Sequence, residues 1–153
     1  METTLRKTSR FHLSEKAKEI IVDIITYLFI LLFVYTAYSK FKTIDSFKII
    51  LERSPLTGPY HDFIAWAVPI VETLISALLI IPFTKRIGLY ASLLLMVLFT
   101  GFLTYGILSG SQLPCHCGGV ISSLTWQQHI WFNISFIILA ILGLYLNKKS
   151  LRA

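Results

Sequence analysis

The sequence predicts an all-α integral membrane protein, a four-helix bundle with a short amphipathic interfacial helix between the first and second spans. Three features lead there. Mean hydropathy is +0.70, and 55% of the 153 residues are apolar while only 14% are charged, against about a quarter charged in soluble domains. Four apolar runs are each about 20 residues long, the length that a hydrocarbon core ~30 Å thick requires of a helix. The charges collect at the chain ends and in the short breaks between those runs. Residues 1–153 therefore read as a single membrane domain embedded in a lipid bilayer. The formal net charge of +6 does not indicate a nucleic-acid partner. Lys and Arg flank the apolar spans, where they snorkel and set topology, and they form no stripe interleaved with aromatics.

Residues 1–19 are polar and basic, with Arg6, Lys7, Arg10, Lys16 and Lys18. The first span covers about 20–39 and ends Tyr38-Ser39-Lys40-Phe41; it is longer than the apolar core of a signal peptide, so it reads as a retained anchor. Over 41–54, Phe41, Ile44, Phe47, Ile50 and Leu51 alternate with Lys42, Asp45, Lys48, Glu52 and Arg53 at helical spacing. That is the pattern of an amphipathic helix lying on or dipping into the outer leaflet, and Pro55, Gly58 and Pro59 break it. The second span covers about 62–83 with Pro69 inside it, and Thr84-Lys85-Arg86 reads as a tight turn. The third span covers about 87–108, a loop of small and polar residues fills 109–125, and the fourth span covers about 126–146. Tyr60, Trp66, Trp126 and Trp131 fall near the outer span ends, where amphipathic rings favour the headgroup region.

Orientation follows from Lys and Arg. The N-terminal segment, the 84–86 turn and the C-terminal tail hold ten between them, the 40–61 segment holds four, and the 109–125 loop holds none. The positive-inside rule then puts both termini in the cytoplasm, in a multi-pass protein of the cytoplasmic (inner) membrane, with the 109–125 loop outside.

That loop carries Cys115 and Cys117, the two cysteines of the chain, on the side where disulfides persist. A disulfide between residues i and i+2 closes a very small ring, with little slack for the usual Cα separation of about 5.5 Å. It removes little loop entropy, so it is a poor structural staple, and strain makes such a bond labile and oxidising. Pro114 fixes the entry to the pair, and Gly118-Gly119 leaves the exit open to a partner. A redox-active pair is the leading reading. Two others stay open: a soft-metal set of Cys115, His116 and Cys117 suited to copper or zinc, and no chemistry at all.

Glu72 lies ten residues into the second span, about 15 Å deep at 1.5 Å per residue. An ionisable side chain at that depth is rare, costly and a functional candidate; the plainer alternative is a packing glutamate hydrogen-bonded to a neighbouring helix. Pro69, one turn earlier, frees a backbone carbonyl there. Asn133, roughly 10 Å into the fourth span by the same rise, can reach the level of Glu72 and form an amide–acid hydrogen bond between helices. Asn133-Ile134-Ser135 matches the glycosylation sequon, but an embedded site is not an acceptor loop. Lys40 reads as a snorkelling anchor, and His61, Asp62 and His129 belong to the outer interface.

The order of these residues resembles a known family. A basic start, a span ending Ser39-Lys40-Phe41, an amphipathic segment, Pro69-Ile70-Val71-Glu72, Cys115-His116-Cys117-Gly118-Gly119, and Trp126 and Asn133 opening the last span resemble methylamine utilisation protein MauE, within the broader DoxX-like group of four-helix membrane proteins. The resemblance spans about residues 20–147. One place departs from it: an aromatic usually follows the C-x-C pair, where this chain has Gly118. The resemblance implies a membrane protein of disulfide or redox maturation of exported proteins.

The expected function is thiol–disulfide oxidoreduction at the outer membrane face. Cys115 and Cys117 exchange with an exported partner, thioredoxin-like or a substrate protein, and Glu72 and Asn133 manage the protons that thiol chemistry releases. The electron carrier is unassigned; a quinone suits the location, although no signature marks its site. The other function classes are a non-catalytic assembly or transport subunit and a soft-metal-handling protein.

Overall fold

Ser14 starts the first helix. Its side-chain oxygen accepts a hydrogen bond from the Ala17 amide at 3.2 Å, satisfying one of the amides that a helix N-terminus leaves free. The structure, a computed structural model, describes residues 13–110 and 125–150. From Ser14 the chain forms α1 (Glu15–Lys42), α2 (Ile44–Arg53), a 3-10 turn (Gly58–Tyr60), α3 (His61–Ile80), α4 (Lys85–Leu108) and α5 (Trp126–Ser150). Four of these segments, Glu15–Lys42, Gly58–Ile80, Lys85–Leu108 and Gln127–Lys148, are long and apolar enough to cross a membrane. The expected all-α bundle, with a short helix between its first two spans, is the architecture observed.

Element ends differ from the expected spans for local reasons. α1 begins before the apolar run and continues past it, with Glu15 in its first turn and Lys40 and Lys42 in its last, where each charge opposes the helix dipole. α3 stops at Ile80 because Pro82 lacks an amide hydrogen and pushes Ile81 to an extended conformation, φ −81° and ψ 119°. Lys85 and Arg86, expected in the turn, therefore open α4. α3 itself runs unbroken through Pro69.

The long helices form a four-sided ring. α1 packs on α3 and α5, α4 packs on the same two, and α1 and α4 barely touch across the diagonal. Phe29, Phe33, Leu79 and Leu89 are fully buried inside it, and Phe29 meets Phe136 edge-on at 5.1 Å. α3 and α4 pack tightly at Gly88, where a Cβ would lie 2.8 Å from the Leu79 side chain and 3.1 Å from its backbone nitrogen. The outside of the ring is as apolar as the inside: Leu31, Leu74, Leu94 and Ile138 are among many large apolar side chains exposed on the four helices. Such a surface is a liability in water and the requirement in hydrocarbon. Hydroxyls inside the ring bond back to their own helix: Thr26 donates to the Val22 carbonyl at 2.7 Å, and Ser92 to the Gly88 carbonyl at 2.7 Å, which leaves few polar groups unsatisfied in an apolar medium.

Two features sit at the ends. α2 turns its apolar face inward, with Phe47 and Leu51 packed against Ala65, Ile64 and Val68 of α3 and Phe102 of α4, and Lys48 pairs with Asp62 at 2.9 Å. At the other end Lys85 of α4 reaches Asp23 of α1 at 2.6 Å, partly exposed.

Candidate functional site

Lys40, near the end of α1, is only 5% exposed, and its ammonium donates to Glu72 Oε1 at 2.8 Å. This overturns its reading as a snorkelling anchor, and the cause is geometric. Glu72 follows His61, the first residue of α3, by eleven positions, which is about 17 Å of helix. For the two to meet, the first turns of α3 must run on past the end of α1. α2 folds back into the space this leaves, so the end of the first apolar run is not the edge of the apolar layer. The Phe47 ring of α2 covers Lys40 at 5.9 Å and the Phe99 ring of α4 flanks it at 5.6 Å, both within range of a cation–π attraction.

Glu72 is 1% exposed. Thr36, one turn before Lys40, donates to the Phe33 carbonyl at a long 3.3 Å. From α5 come His129 and Asn133, four residues apart and therefore on one helix face, both buried. His129, expected at the outer interface, is instead inside. Among the described residues, Glu72 Oε2 and Asn133 Nδ2 have no hydrogen-bond partner. The expected amide–acid bond is thus not made, although its two residues line the same space.

That space is a cavity of about 450 Å3, within the range of small-ligand sites. Phe33, Phe47, Phe99, Phe102 and Phe132 give it aromatic walls, and Lys40, Glu72, His129 and Asn133 supply most of its polar character. A buried polar atom left unpaired costs about 1–3 kcal/mol, and native structures keep few of them. Two in one apolar cavity, beside a buried ion pair, mark it as the candidate site. Lys40, Glu72, Asn133 and His129 are the groups that could hold a cofactor there.

The other sequence candidates lie elsewhere. His61 Nδ1 meets the Gly58 carbonyl at 2.7 Å and Asp62 pairs with Lys48; both secure the start of α3 and neither lines the cavity. Cys115, His116 and Cys117 lie outside the described residues. Their segment joins Gly110, just after α4, to Thr125, just before α5, and the cavity reaches Leu103 and His129 on those two helices. Among the described residues no group of three His, Cys, Asp or Glu could hold a metal. Sequence reasoning missed Lys40 and His129. The signal for Lys40 is present all the same: an embedded acid in one span needs a partner, and a lysine closes the span before it.

The sequence pattern of the family described as Methylamine utilisation protein MauE matches residues 18–146. The chain belongs to the MauE family. The match runs from α1 through most of α5, so every described residue lining the cavity lies inside the matched range of this MauE-family chain. Searches of curated proteins and of solved structures found no match.

Proposed function

We propose that this MauE-family membrane protein is a thiol–disulfide redox protein serving exported proteins, with both termini cytoplasmic and the Cys115–Cys117 pair on the outer face of the inner membrane. The observation that carries the reading is the buried Lys40–Glu72 pair with Asn133 in an apolar cavity near the helix ends from which the cysteine segment departs. Packing alone gives no reason to keep two unpaired polar atoms there, whereas proton handling does. The asymmetry of ten Lys and Arg against four supports the orientation.

The exchange conserves electrons. The thiolate of one cysteine attacks a disulfide sulfur of the partner and forms a mixed disulfide. The second cysteine attacks its sulfur-bound neighbour, the partner leaves as a dithiol, and a Cys115–Cys117 disulfide remains; the reverse sequence oxidises the partner. The two protons of the dithiol end on the partner's new thiols, so the exchange itself is proton-neutral; protons are needed inside the bundle only when a two-electron carrier resets the pair, and Glu72, across the cavity from Asn133, is the group there that handles them.

Alkylation of intact cells with a membrane-impermeant maleimide after mild reduction tests both parts. Expected are labelling of both cysteines from outside, a thiol fraction that shifts with the redox buffer, and a mixed disulfide trapped by Cys115→Ser or Cys117→Ser. Labelling only after permeabilisation would reverse the orientation. Thiols that stay reduced in oxidising buffer, with nothing trapped by either variant, would sink the redox reading; copper or zinc retained by that reduced protein would replace it with metal handling, and neither with an assembly role.

A further inference from the structure

We propose that the cavity seats the head of a lipid-soluble, flat, oxygen-bearing ring of the quinone–quinol class, held between the Lys40–Glu72 pair and Asn133. The unpaired atoms ask for opposite partners. Glu72 Oε2 can only accept a hydrogen bond as a carboxylate oxygen, and Asn133 Nδ2 can only donate one. Both side chains are more than nine-tenths buried, so bulk water does not serve them. A ligand that satisfies both carries an acceptor oxygen and, in one of its states, a hydroxyl. A carbonyl of the oxidised ring accepts from Asn133, and a hydroxyl of the reduced ring also donates to Glu72.

The rest of the cavity selects the body of the ligand. Its volume of about 450 Å3 far exceeds the ~30 Å3 share of a single water, and its walls are mostly apolar. Five phenylalanines line it, and aromatic walls favour a flat π-system in offset or edge-on contact. A fatty-acid or phosphate head fits poorly, because it would bring a second anion beside Glu72 in a low-dielectric space. A neutral ring brings none. The proposal deepens the function proposed above by naming the carrier's class and its seat, and it rests on that reading only for what the ring is used for. Binding itself makes and breaks no covalent bond and requires no residue of the cysteine segment.

The test is equilibrium binding to the purified full-length protein in detergent micelles, with four probes: decyl-benzoquinone, its quinol, decylbenzene and decanoic acid. The quinone and quinol should bind saturably, and decylbenzene and decanoic acid at least about tenfold more weakly, the equivalent of roughly 1.4 kcal/mol. Asn133→Leu, similar in size and lacking the amide donor, should weaken the quinone by about tenfold or more while helicity is retained. Equal binding of decylbenzene would reduce the site to an apolar void, equal binding of decanoic acid would make it a lipid groove, and an unchanged Kd in a folded Asn133→Leu would remove the polar seat; each overturns the proposal. The probe series uses the unaltered protein, so it decides the matter even if the variant fails to fold. Ring binding without mixed-disulfide trapping leaves this site standing and removes the thiol reading; trapping without ring binding does the reverse.

Discussion

Lys40 and Glu72 behave as one unit, because either charge alone would be stranded in an apolar interior. Removing one partner of such a pair costs about 3–5 kcal/mol, whereas replacing both with neutral groups is often harmless. Lys40→Met and Glu72→Gln should therefore each lower the unfolding midpoint in micelles substantially, and the double variant should recover most of the loss. Single variants as stable as the parent would mean that the 2.8 Å contact contributes nothing. The expectation for Glu72→Gln also shows what a sequence withholds. An amide preserves the shape and much of the hydrogen bonding of a carboxyl, so from sequence the change reads as mild; with an ammonium against Oε1 it leaves a buried cation unpaired. Glu72 and Asn133 were legible because a polar residue deep in an apolar run is conspicuous. Lys40 and His129 were not, because position along a run does not report what packs over its end, and here α2 covers Lys40 with the Phe47 ring.

At the scale of elements, the α3–α4 contact is set by one missing side chain. Gly88→Ala would put a Cβ against the Leu79 side chain and close to its backbone nitrogen, so the side chain must turn and the backbone give slightly; overpacking of this kind costs about 1–3 kcal/mol. Gly101→Ala, with open space around it, should be neutral or slightly stabilising, by up to about 1 kcal/mol of helix propensity. Thermal unfolding of the two variants side by side checks the contrast, and equal behaviour would show that the helices can part freely there. The same scale marks the reach of periodicity. The spacing of Phe47 and Leu51 announces a helix with one apolar face, but a period carries no information on whether lipid or protein covers that face. Here α3 covers it. Likewise the expected 84–86 turn missed by a few residues because hydropathy ignores what Pro82 does to the residue before it.

For the molecule as a whole, hydropathy made the four-helix plan legible, and the apolar outer surface of the ring agrees with it. What hydropathy could not convey is that, among the described residues, two ion pairs of different kinds tie α1 to its neighbours in the ring. Asp23 and Lys40 lie 17 positions apart on α1, about 25 Å along the helix, so the Lys85–Asp23 and Lys40–Glu72 contacts hold opposite ends. The first is partly exposed and the second is enclosed. Dissolved ions screen exposed charges over a length that falls from about 10 Å at 0.1 M to about 3 Å at 1 M and hardly reach enclosed ones. The ring thus has a salt-soft fastening between α1 and α4 and a salt-blind one between α1 and α3. Raising sodium chloride across that range should speed amide hydrogen exchange in the α3–α4 turn and leave the amides around Lys40 and Glu72 unmoved; a uniform response would mean that the two ends loosen together. The cavity would then keep its charge arrangement whatever the ionic strength of the compartment it faces.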